Sequence, residues 1–141
     1  MITQWSERFS LHQEILDDQH KELFRLANLV RNLNIKTTTR EKLGSLFKEF
    51  FHYMEHHFKE EEAYMQSMEY PYLEQHHQFH QSIIDGMTKI LREKKTMEEL
   101  QISMKFITQK WLVEHILEND LKIEKWRKST IVSQDDMLDI H

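Results

Sequence analysis

A chain of 141 residues is long enough to bury one core and too short for two domains of ordinary size. With 24 acidic against 19 basic residues its net charge is −5, which leaves no electrostatic footprint for nucleic acid. One Pro and two Gly leave few sites for hairpins or bulges, and the lack of Cys removes disulfides, thiolate nucleophiles and iron–sulfur clusters. Any bound metal must therefore take nitrogen and oxygen ligands.

The first eight residues lack the basic-then-apolar layout of a secretion signal, and no apolar run approaches the roughly 18 residues needed to span a bilayer. The expectation is a cytoplasmic protein without a membrane partner. Residues 1–15 read as an N-terminal arm that packs through Trp5 and Phe9. The first helical segment, 16–33, carries Leu16, Leu23, Phe24, Ala27 and Val30 at helical spacing. A polar loop follows, and Thr39 is placed to cap the second segment, 40–68, with Leu43, Leu46, Phe47, Phe50, Met54 and Phe58. Tyr70-Pro71 interrupts it, because Pro supplies no N–H donor and disfavours a helical residue before it. The third segment, 72–94, carries Leu73, Ile83, Ile84, Met87 and Leu91. Thr96 and Glu99 read as a capping box for the fourth, which runs through Leu100, Met104, Ile107, Trp111, Leu112 and Ile116 to about residue 119. Short connections make consecutive helices antiparallel neighbours, so the expected fold is all-α: an up-down-up-down four-helix bundle over 16–126, with a tail over 127–141 that is polar and frayed, or available to a partner.

Histidine is the unusual residue, at ten in the chain. At about 100° per residue, His20 falls in line with Leu16, Phe24 and Ala27, and His57 with Glu61 joins the stripe of Leu43, Leu46, Phe50 and Met54. His76 and His80 lie in line with Leu73, Ile83, Ile84, Met87 and Leu91, and His115 with Met104, Trp111 and Leu112. A single inward histidine is ordinarily a core residue satisfied by a hydrogen bond. Five at once, with a carboxylate, cost about 1–3 kcal/mol each if uncompensated, against a total stability of roughly 5–15 kcal/mol. A bound cation offsets that load. His52 and His56 point away from the second stripe, His77 sits at the edge of the third, and His12 and His141 lie outside the bundle; all five read as surface residues.

Imidazole with carboxylate and no thiolate suits iron, manganese, zinc, copper or nickel. Five imidazoles and a carboxylate are too many for one ion with an open position, which indicates two. Asp120 is the candidate second bridging carboxylate. Five residues beyond His115 it falls roughly 140° off the stripe of an ideal helix, so it reaches the site only if the helix ends or distorts near Asn119. The rival carboxylate-rich design uses paired Glu-x-x-His motifs. Glu49-x-x-His52 and Glu74-x-x-His77 match its spacing, but His52 and Glu74 face away from the apolar lines.

Four linked motifs carry a resemblance. Asp17-Asp18-Gln19-His20, His57-Phe58-x-x-Glu61-Glu62, Tyr70-Pro71 with His76-x-x-x-His80, and Trp111-Leu112-x-x-His115-Ile116-x-x-x-Asp120 together resemble the hemerythrin family, in particular its single-domain bacterial members, over residues 16–123. The resemblance implies a four-helix bundle with two iron ions and a bridging hydroxide or oxide. It implies that His76, His80 and His115 bind one iron, that His20 and His57 bind the other, and that Glu61 and Asp120 bridge the pair. It further implies an oxygen pocket of Leu23, Phe58, Trp111, Leu112 and Ile116, with the open position on the iron holding two histidines. The chain departs from the family pattern around Ser10-Leu11-His12-Gln13, which lacks the usual small residues, and at Ile123, where an aromatic is common. The implied activity is reversible binding of dioxygen, as carrier or store, rather than enzymatic turnover. The alternatives are an oxygen or redox sensor, a di-iron enzyme acting on peroxide or nitric oxide, and a metal-free or zinc-loaded structural bundle.

Overall fold

A computed structural model of the protein describes residues 4–93, 96–113 and 119–139, with side chains described for all of these except 111–113 and 131–139. Among the described residues there are five α-helices and no strand: α1 (Glu14–Asn32), α2 (Arg40–Ser67), α3 (Leu73–Arg92), α4 (Met97–Val113) and α5 (Leu121–Asp139). A short 3-10 helix, Glu7–Phe9, precedes them.

The helix starts follow local chemistry. Thr39 accepts a hydrogen bond from the Lys42 amide at 3.1 Å, and Thr96 accepts one from the Glu99 amide at 3.2 Å, satisfying donors that a first turn leaves without partners. Gln13 does the same for Leu16 at the head of α1. α2 ends four residues before Pro71, in a Schellman turn. The Tyr70 amide donates to the Met65 carbonyl and the Glu69 amide to that of Gln66, with Glu69 in the left-handed region at φ 57°. Met65 and Tyr70 pack together beneath this turn, as such motifs favour.

α1 packs against α2 and α4, and α3 packs against the same two helices, so α1 to α4 surround one interior. Gln101 on α4 donates to the Leu33 carbonyl just beyond the end of α1, while His20 near the start of α1 meets Asp120 beyond α4. These two segments therefore run in opposite directions. Glu61 meets His76 and Phe58 meets His80, so α2 and α3 are also opposed.

One half of the interior is apolar, built around Leu23, Val30, Leu43, Phe47, Phe50, Met54, Ile83, Met87 and Met104, none of them more than marginally exposed. A second, smaller apolar cluster joins Met65, Tyr70 and Ile123. Ile123 is a fully buried part of it. The arm packs as expected: Phe9 stacks on Phe24 with centroids 6.2 Å apart, and Lys21 Nζ lies 4.5 Å from the centre of the Trp5 ring. Asp17 fastens it by accepting from Ser10 Oγ and from the Leu11 amide at 2.8 Å.

Two expectations differ from the structure. Leu91 is exposed, and Ile90 takes the buried place on α3, so the core line runs Ile83, Met87, Ile90. The backbone beyond Trp126 is helical through Asp139 instead of frayed. Gly44, within α2, has open space where a Cβ would stand. Gly44→Ala is therefore expected to raise stability by about 0.5–1 kcal/mol in denaturant unfolding, through reduced backbone entropy of the unfolded chain.

Candidate metal centre

Four helical segments each deliver polar side chains to a single buried position. α1 contributes His20, α2 contributes His57 and Glu61 one turn apart, α3 contributes His76 and His80 one turn apart, and Asp120 enters just ahead of α5. All are buried, with His20, His57, Glu61 and Asp120 fully so. The backbone at Asn119–Asp120 is π-helical. The chain thus departs from regular α-helical geometry at Asp120, the residue that carries the second carboxylate.

The two carboxylates divide their oxygens between two imidazole pairs. His20 Nε2 lies 2.8 Å from Asp120 Oδ2, and His57 Nε2 lies 3.2 Å from Glu61 Oε2. On the other side, His76 Nε2 lies 2.7 Å from Glu61 Oε1 and 3.1 Å from Asp120 Oδ1, while His80 Nε2 lies 3.1 Å from Glu61 Oε1. Two overlapping groups result, His20/His57/Glu61/Asp120 and Glu61/His76/His80/Asp120, each with ligand atoms within 4.8 Å of one another. Each group has the donor chemistry of a cation site, and Glu61 and Asp120 belong to both.

Surrounding residues orient the imidazoles. Gln19 Oε1 accepts from His57 Nδ1 at 2.8 Å, which leaves the Nε2 lone pair directed to the centre. Phe58 stacks on His80 with centroids 3.8 Å apart and lies 6.0 Å from the His57 ring, so one phenyl group borders both halves. Leu23 is fully buried one turn beyond His20. Gln19 was legible as part of a motif, but helical periodicity assigns no hydrogen-bond partner. Gln19→Leu is expected to lower metal affinity about 10–100-fold, measured by competition with a chelator, because the His57 ring loses its fixed orientation.

His115 and Ile116 lie outside the described residues, as do the side chains of Trp111 and Leu112. His52, His56 and His77 are exposed, as are Glu49 and Glu74, so neither Glu-x-x-His motif contributes to the buried centre. His77 pairs with Glu62 at the surface, and His12, itself exposed, pairs with Glu124 at 3.0 Å.

Without metal, the carboxylates favour the protonated forms of His20, His76 and His80. Burial opposes the charged form of His20 most strongly, but hydrogen bonds and attraction from Asp120 and Glu61 together outweigh it and push its pKa from 6.5 to about 9. The same balance pushes His76 to about 10 and raises His80, whose partners are Glu61 and Glu62. A histidine with a raised folded-state pKa stabilises fully below its unfolded value near 6.5, and that stabilisation is lost as pH rises through the folded value. The melting temperature of metal-free protein is therefore expected to fall from pH 7 to pH 10, and that of metal-loaded protein to change less, in thermal scans by circular dichroism.

A helical bundle that closes over a shared set of histidines and carboxylates belongs to the class of proteins with a buried cation-binding centre. Residues 11–126 match the family model described as the hemerythrin HHE cation binding domain, and the chain belongs to the hemerythrin family. A bacteriohemerythrin of Campylobacter jejuni is 30% identical over 118 residues, covering 83% of this chain and 89% of that protein. A myohemerythrin of Theromyzon tessulatum is 32% identical over 119 residues, covering 84% and 88% respectively. A bacteriohemerythrin of Clostridium acetobutylicum is 30% identical over 123 residues, covering 82% and 94%. No solved structure matches the chain. The family binds oxygen at a non-haem di-iron site, and its members are mainly oxygen-binding proteins rather than enzymes. Among the described residues no helix is long and apolar enough to cross a membrane.

Proposed function

We propose that the chain reversibly binds dioxygen, as a carrier or store, at two iron ions held by His20, His57, His76, His80, His115, Glu61 and Asp120. The observation that carries this reading is the division of the Glu61 and Asp120 oxygens, one from each carboxylate towards each imidazole pair. A single-ion site needs no such division, whereas two carboxylates bridging two cations do. The donor set fits iron: imidazole and carboxylate only, in a chain without thiolate. When bound, the two ferrous ions supply two electrons and an open coordination position for dioxygen.

The chain's own residues then govern selectivity and reversibility. His20 and His57 serve one ion, His76, His80 and His115 the other, so the two-histidine side retains room for a small ligand. Leu23 and Phe58 keep water and protons from that side, and we assign Trp111, Leu112 and Ile116 to the remainder of the same wall. Gln19 holds the His57 ring against rotation. Exclusion of protons favours release of intact dioxygen over conversion to peroxide, which makes binding rather than turnover the outcome.

Anaerobic loading with ferrous iron, then exposure to air and to vacuum, tests the proposal. The expected result is a visible absorption change that reverses over repeated cycles. Irreversible bleaching with release of peroxide would replace this reading with an enzymatic one.

A further inference from the structure

A cavity of about 450 Å³ lies between the first turn of α3 and the first turns of α5, outside the polar centre but sharing His76 as a wall. Its volume falls within the roughly 300–1,000 Å³ of small-ligand pockets. Three aromatic side chains line it: Tyr70, Tyr72 and Trp126. The Tyr70 ring meets Tyr72 edge-on at 5.7 Å between centroids and meets Trp126 edge-on at 5.5 Å. Such an arrangement offers both ring faces and ring edges to a further aromatic group.

The charge of the lining is one-sided. Lys122 and Lys125, three residues apart on one face of α5, line the cavity, and no described carboxylate does. Among the described residues neither lysine has an acidic partner in an ion pair. The nearby Glu124 is buried away from them, engaged by Arg127 at 2.6 Å and by His12. In a chain of net charge −5, two uncommitted lysines beside an aromatic slot select an anion with an apolar ring. The Gln75 side chain, also in the lining, adds an amide able to donate to an anionic oxygen.

We propose that this cavity binds a small aromatic carboxylate, its ring among Tyr70, Tyr72 and Trp126 and its carboxylate on Lys122 and Lys125. The site follows from the walls of the cavity and does not depend on metal at the neighbouring centre.

Calorimetric titration of the 141-residue chain, metal-free and iron-loaded, with 2-naphthoate and with the uncharged 2-naphthalenemethanol, tests it. Saturable one-to-one binding of 2-naphthoate is expected in both forms, about tenfold tighter than the alcohol. The double substitution Lys122→Gln/Lys125→Gln is expected to remove that tenfold preference and leave binding of the alcohol unchanged. Tyr72→Ala, at a side chain 57% exposed and so tolerant of truncation, is expected to weaken both ligands. Lack of saturable naphthoate binding, or naphthoate binding indifferent to the lysine pair, would overturn the proposal. Because binding is read by heat and not by oxygenation, its failure leaves the reading of the di-iron centre intact, and the converse holds.

Discussion

Glu61→Ala is expected to empty both halves of the centre together. Its two oxygens serve different imidazole pairs, with Oε2 at 3.2 Å from His57 and Oε1 at 2.7 Å from His76. Loss of a ligand to one ion alone would lower the metal content by half; loss of a bridge removes one donor from each ion and the negative charge that holds them close together. Metal analysis after anaerobic loading should therefore fall from two irons per chain to well below one. The substitution should also weaken the metal-free protein. Glu61 lies among imidazoles whose proton affinity is raised by it and by Asp120, so its removal leaves buried positive charge without its nearest partner. Breaking a buried pair in this way costs roughly 3–5 kcal/mol, readable in denaturant unfolding without metal. A variant that kept full metal content would show that Glu61 does not bridge.

His57→Ala and His52→Ala should separate completely, although the two residues lie only five positions apart on α2. His57 is fully buried, with Nε2 at the centre and Nδ1 on Gln19, whereas the His52 side chain is 74% exposed. Truncating His57 removes a ligand from the two-histidine half. The expected result is loss of about one iron of the two, abolition of reversible oxygen uptake, and weakening of the remaining site. His52→Ala should retain both irons and change stability by no more than about 0.5 kcal/mol. Similar behaviour of the two variants would mean that the facial assignment of α2 is wrong.

Much of this centre is written in helical periodicity. His57 and Glu61, and likewise His76 and His80, are spaced by one turn, so a common direction follows from the backbone alone once a helix is assumed. The buried stripe of large residues then tells which direction is inward. Asp120 is different, because five residues beyond His115 its spacing is wrong for an α-helix, and it reaches the centre only if the helix ends or distorts near Asn119. The sequence raises that need without saying how the chain meets it; in the structure Asp120 reaches imidazoles carried by α1, α2 and α3.

Other features are decided by packing that periodicity does not resolve. Ile83, Met87 and Ile90 form one apolar line on α3, and Ile84 with Leu91 forms another directly beside it. The neighbours of α3 select the first line, and Leu91 is left in solvent. The end of α2 depends on Glu69 adopting φ 57°, a conformation Glu seldom takes and for which it carries no signal. The packing of Met65 under Tyr70 holds it there. α5 was hidden for the opposite reason. Its Lys, Glu, Arg and Gln residues favour a helix, but the segment shows no broad apolar stripe to announce one. Gln19 shows a further limit: its place beside His57, 38 residues away in the chain, arises from the packing of α1 on α2.

The most direct measurement of the central claim is the iron content of the 141-residue chain after anaerobic ferrous loading and removal of excess metal. Two irons per chain, lost in parallel in Glu61→Ala, is the result expected of carboxylates shared between two cations. A single iron at saturation, or none, would contradict it.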